Sequence, residues 1–181
     1  MTHAMVAPVL VLGWGNLSRG DDALGPLFAG HLREHYANAP DVECLDDYQL
    51  QVEHALDLAG RQRVLFVDAS LTCSAPFEVT QPCAAKDSSF TTHSMSPQAL
   101  LQVYSDLHGV VPPPCTLLAI RAERFELGAL PGPEALKHLN LALQWAYTWV
   151  TDACGACENQ RRLERSPFDA GHPGSPRPQR I

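Results

Sequence analysis

The stretch that most constrains this chain is Val9-Leu10-Val11-Leu12-Gly13-Trp14-Gly15-Asn16-Leu17-Ser18-Arg19-Gly20-Asp21-Asp22-Ala23-Leu24-Gly25. Four apolar residues run straight into Gly-x-Gly-Asn, two adjacent aspartates follow, and apolar residues at helical spacing then begin. This reads as a buried strand, a tight glycine turn and the acidic start of a helix. In an open parallel sheet, function gathers at such carboxyl ends of strands. The aspartates limit what can bind there. A turn that holds phosphate presents backbone N–H groups and positive charge, and two carboxylates oppose both. Gly13-Trp14-Gly15 also lacks the third glycine of a dinucleotide fingerprint, so NAD binding is not expected.

The rest of the chain repeats the alternation. Strands are expected over residues 9–12, 42–45, 64–67 and 115–120, with a weaker one over 77–80. The run Val64-Leu65-Phe66-Val67 is continuously apolar, as in a strand covered on both faces, and it ends at Asp68. A first helix is expected from Asp21 or Asp22 to about residue 37, carrying Leu24, Leu27, Phe28 and Leu32 on one side. A short helix is expected over 52–59. Ser96-Pro97 starts another, with Ser as N-cap and Pro at the first helical position. A last amphipathic helix is expected over 134–150. Strands alternating with helices predict an α/β fold: one domain with a mainly parallel (mixed) sheet sandwiched between helices on both faces.

Composition bounds the function. A chain of 181 residues with 45% hydrophobic content fits one soluble domain with a core. A net charge of −7 argues against nucleic acid or an anionic membrane as the main partner. No apolar run approaches the ~18 residues of a membrane span. Nor does the N-terminus read as a secretion signal, so a cytoplasmic location is the default expectation. The six cysteines follow no framework spacing and read as reduced thiols. Residues 158–181 hold five arginines, three acids and four prolines, a net +2 that leaves −9 on residues 1–157. Such a segment cannot bury enough surface to offset its ordering entropy, so a domain over 1–157 and a disordered Pro/Arg-rich tail over 158–181 are expected.

Among residues that can do chemistry, Asp22, Asp68 and His93 stand out. Each lies just past a strand or just before the helix that follows one, so all three can project from one sheet edge. Two carboxylates and an imidazole suit a borderline divalent transition metal. Blander readings stand beside this one. Asp21 and Asp22 can simply favour a helix start, a contribution of ~0.3–1 kcal/mol. Asp68 can cap a loop, and His93 can be a loop histidine with a hydrogen-bonded ring. Cys154-x-x-Cys157 lacks the second pair of a zinc site, and Glu53-His54 reads as part of a solvated or loop-facing surface. There is no Gly-x-Ser-x-Gly elbow and no recognisable cysteine nucleophile motif.

Taken in order, Gly13-x-Gly15-Asn16-x5-Asp22-x2-Gly25, Asp68-Ala69 at a strand end and His93 shortly before a helix resemble the maturation endopeptidases of [NiFe] hydrogenases. The resemblance spans roughly residues 9–150. It implies a sheet between helices and a single cleavage that removes a C-terminal peptide from the hydrogenase large-subunit precursor. Nickel already loaded into that precursor is then the recognition feature, supplied by the substrate and bound transiently, with no resident cofactor. The family's nickel-contacting positions fall on Asp22, Asp68 and His93. Where the family has an Asp-Gly-Gly-Thr turn, this chain has Asp46-Asp47-Tyr48-Gln49-Leu50-Gln51. Asp46 keeps the aspartate, so the resemblance implies catalytic roles for Asp22, Asp46, Asp68 and His93. The run from Asp47 to His54 resembles the subgroup serving cytoplasmic NAD-reducing hydrogenases. A monomer whose partner is the large-subunit precursor is expected. Two other classes stay open: a nickel-binding assembly chaperone that cuts nothing, and a small nucleotide-binding α/β module.

Overall fold

A computed structural model describes residues 6–86 and 95–164 of the chain, with side chains through residue 155. Five strands form one sheet: β1 (Val9–Trp14), β2 (Val42–Asp47), β3 (Arg63–Ser70), β4 (Phe77–Thr80) and β5 (Cys115–Arg121). Their order is β2-β1-β3-β5-β4. All pairs are parallel except β4 with β5, which gives the mainly parallel, mixed sheet that the sequence predicts. The helices are α1 (Leu24–His35), α2 (His54–Asp57), α3 (Pro97–His108) and α4 (Pro133–Glu164).

Both faces of the central strands are covered, which is why their sequences are continuously apolar. Val11, Leu65 and Val67 point to one face, where Leu24, Phe28 and Leu32 of α1 meet Leu139, Leu143 and Ala146 of α4. Leu10, Leu12, Val64 and Phe66 point to the other, against Ala55 and Leu58 near α2 and Leu100, Leu101 and Tyr104 of α3. Each fully buried Leu or Phe contributes ~1.5–3 kcal/mol of transfer free energy.

The connection from β1 to β2 runs through α1 on one face. That from β2 to β3 runs through α2 on the other; the chain leaves β1 towards β2 and leaves β3 towards the opposite edge, so the direction reverses between β1 and β3. In open α/β sheets the crevice beyond the carboxyl ends at such a reversal is where ligands bind.

Three boundaries differ from the sequence expectation. The first helix opens as a 3₁₀ turn, Gly20–Ala23, and becomes α1 only at Leu24, with no side-chain cap from either aspartate. Asp21 caps nothing because its carboxylate is engaged elsewhere, and the 3₁₀ opening follows from the glycine packing, both described below. The helix over 52–59 shrinks to one turn, His54–Asp57. The last helix continues past residue 150 to Glu164, so helix extends into the stretch expected to be a tail. Residues 165–181 lie outside the described residues. Ser96 does cap α3, its hydroxyl accepting from Ala99 N–H at 3.1 Å. No helix among the described residues is long and apolar enough to cross a membrane.

Candidate active site

The turn after β1 is pressed onto the strands so tightly that only glycine fits at three points. A Cβ on Gly13 would stand 2.2 Å from the Gly25 carbonyl oxygen. One on Gly25 would stand 2.2 Å from the Trp14 carbonyl oxygen and 2.9 Å from that of Val67. Gly15, at φ +140°, would place a Cβ 2.0 Å from the Asp22 carbonyl oxygen. The glycines bring the acidic turn down onto the ends of β1 and β3. They do not cradle an external phosphate. The Asn16 N–H, which a phosphate would need, is instead donated to Asp22 Oδ2 at 3.2 Å.

The two adjacent aspartates have different surroundings. Asp21 is 1% exposed. Its Oδ2 accepts from the N–H groups of Glu123 (2.8 Å) and Arg124 (3.1 Å), and its Oδ1 from that of Gly132 (2.7 Å). Burial works to raise its pKa, but the three backbone donors outweigh it and hold the carboxyl below its ordinary value. Asp21 is therefore a structural tie between the turn and the β5–α4 loop. Asp22 stays half-exposed at the sheet edge.

Asp68, near the end of β3, is the most perturbed carboxyl. Burial pushes it up to about 7; the negative charge of Asp22 adds to this, and hydrogen bonds from Ala69 N–H and the Trp14 side chain oppose it. The structure thus brings Asp22 and Asp68 within electrostatic reach at one edge. His93 lies outside the described residues. Among those residues, no group of three His, Cys, Asp or Glu side chains is placed to hold a metal ion.

Asp46 is not brought to this pair. Side chains alternate along a strand, and β2 sends Cys44 and Asp46 towards α1. There the Arg33 guanidinium bonds the Cys44 carbonyl through Nε (3.1 Å) and forms an ion pair with Asp46 through Nη2. Its neighbour Asp47 shares the other face with Leu45, Trp14 and Phe66. His54, read from the sequence as surface together with Glu53, is instead only 9% exposed, as is Asn16 of the glycine turn. Asn16 bonds Tyr48 OH through Nδ2, and its Oδ1 accepts from Ser18 N–H at 2.8 Å. The signal that could have found Asp47 was the period of two along β2, once Cys44 is taken as the buried side.

The cysteines fit the expectation of reduced thiols. Cys44, Cys73, Cys83 and Cys115 are free, and burial raises Cys44 to about 11 and Cys115 to about 12. The partner half of Cys154-x-x-Cys157 lies beyond the described side chains.

No family model matches the sequence, and no curated protein matches it. Solved structures do. The [NiFe] hydrogenase maturation protease HycI from Thermococcus kodakarensis KOD1 superposes with a TM-score of 0.63 at 22% identity, over 77% of this chain and 90% of that one. The hydrogenase maturating endopeptidase HybD from E. coli gives 0.61 at 23% identity, over 80% and 93%. A hydrogenase 2 maturation peptidase from a Thaumarchaeota archaeon gives 0.57 at 21% identity, over 79% and 97%. The chain has the α/β fold of the hydrogenase maturation proteases.

Proposed function

We propose that the chain is an endopeptidase that removes a C-terminal peptide from the nickel-loaded large-subunit precursor of a [NiFe] hydrogenase. The observation that carries this reading is the Asp22–Asp68 pair at the β1 and β3 ends, on a fold shared with proteins described as hydrogenase maturation proteases. The donor set fits a substrate-borne cation. Two carboxylates crowded at a part-buried edge, one raised to about 7, are costly while the site is uncompensated. A divalent ion favours both ionised forms, and with His93 the set offers oxygen and nitrogen donors of the kind nickel accepts.

In this reading Asp22, Asp68 and His93 hold the metal that the precursor presents, leaving positions open for the precursor's own thiolates. Nickel in the substrate then acts as the signal that insertion is complete. Bound there, a divalent ion supplies Lewis acidity towards a carbonyl or water. The reading places the protein in the cytoplasm as a monomer.

The test is the intact mass of a cognate precursor after incubation with this protein, with and without nickel loaded. Loss of a C-terminal peptide from the loaded form alone supports the whole reading. Cleavage of both forms keeps the protease and removes the nickel check. Binding without cleavage of either form replaces the protease with an assembly chaperone.

A further inference from the structure

The rim beside the Asp22–Asp68 pair carries a third carboxylate held by a network of its own. Asp47 pairs with Trp14 across β1 and β2, its carbonyl accepts from Gly15 N–H at 3.1 Å, and Trp14 bonds Asp68. Asp47 therefore stands on the face of Asp68, two strands over, with Trp14 of β1 between them. Its side chain is 35% exposed, yet two hydrogen bonds and the His54 ring hold it. Tyr48 N–H donates to Oδ1, while Gln51 Nε2 (3.2 Å) and His54 Nε2 (3.4 Å) approach Oδ2.

The orientation of His54 follows from a second bond. Gln51 N–H donates to Nδ1 at 2.9 Å, so Nδ1 carries the lone pair and the ring proton sits on Nε2, facing Asp47. Oδ2 accepts from Gln51 and is covered by the His54 ring, whereas Oδ1 accepts only the Tyr48 N–H and keeps a lone pair for a ligand. An exposed carboxylate needs no such scaffold for solvation. Next to it, the Tyr48 hydroxyl meets the Asn16 amide, and Asn16 N–H bonds Asp22. The hydrogen-bonded rim thus runs unbroken from His54 to Asp22.

We infer that Asp47, oriented by His54, is a substrate-positioning residue whose Oδ1 accepts a backbone N–H from the extended C-terminal segment of the precursor. The inference rests on the protease reading for its substrate. It gives a substrate-contacting role to Asp47, the neighbour of Asp46, for which the resemblance implied a catalytic role.

The experiment uses the full chain with four variants, Asp47→Asn, Asp46→Asn, His54→Leu and His54→Gln, and measures KM, kcat and precursor Kd. Asp47→Asn and His54→Leu should raise KM and Kd about tenfold, the scale of one lost hydrogen bond to a charged group, with kcat nearly unchanged. His54→Gln, which keeps a donor towards Asp47, should restore most of the loss. Asp46→Asn should match wild type. Loss in Asp46→Asn but not Asp47→Asn, equal loss in both His54 variants, or an effect confined to kcat overturns the inference. A wild type that cleaves nothing refutes the protease reading instead. The Kd ranking of the variants then decides this inference, and a flat ranking or no binding overturns it.

Discussion

Asp21 and Asp22 are adjacent in the chain, and the fold gives them unrelated tasks. Asp21 satisfies three backbone donors in the interior, so Asp21→Ala leaves the Gly132, Glu123 and Arg124 N–H groups without their acceptor. The expected cost is about 3 kcal/mol, read as a lower urea midpoint at unchanged slope. Because its folded pKa is lowered, this contribution is present above the ordinary value of 3.8 and is lost as pH falls through the folded value. Asp68 has the opposite sign. Its folded value of about 7 exceeds the ordinary 3.8, so between these values the folded chain keeps a proton that the unfolded chain has released. Stability should decline as pH rises from about 4 to about 7, and Asp68→Asn should remove that slope, gaining on the order of 2 kcal/mol over wild type at pH 8. A gap between the two proteins that stays constant across this range would refute the assignment. The sequence marked Asp22 and Asp68 by their places after strands. It could not separate Asp21 from Asp22, because the donors that distinguish them come from more than a hundred positions away.

The elements were legible where their signals are local. Ser96-Pro97 announces α3, and the continuous apolar runs announce β1 and β3. The 3₁₀ opening of the first helix was not legible, because it results from glycine packing against β1 and β3 and not from helix propensity. That packing makes a contrast between the glycines of the turn and α1 start and the one farther along α1. Gly15→Ala and Gly25→Ala each force a Cβ into backbone atoms and should cost 2 kcal/mol or more, roughly the scale of overpacking or backbone strain, with loss of the proposed processing. Gly30→Ala, also in α1, meets nothing within 4 Å and should stabilise by ~0.5–1 kcal/mol with processing intact. Thermal melts of the three variants check both directions. A Gly25→Ala melt as high as that of Gly30→Ala would contradict the close approach of α1 to the sheet.

For the whole molecule, alternation of strands and helices was enough to read an α/β sandwich, whereas the strand order β2-β1-β3-β5-β4 was not readable. Order depends on which strands meet across long loops, and a single sequence carries no local mark of that. The order predicts a gradient of local stability. Amide exchange should be slowest in β1 and β3, which are paired on both sides and covered on both faces, and fastest among the strands in β4, an exposed edge. Equal protection in β3 and β4 would refute it.

The tie from Asp21 to the β5–α4 loop also bears on the order of events during synthesis. The donors it needs lie 102 to 111 positions downstream. A ribosome delivers β1, the acidic turn and β3 well before it delivers residue 132, and N-terminal segments begin to fold as they emerge. A nascent chain therefore holds both Asp22 and Asp68 while the clasp that fixes the acidic turn is still unmade. The edge that carries Asp22 and Asp68 is among the last parts to be finished, and a chain stalled halfway presents these two acids on a turn that nothing yet ties down.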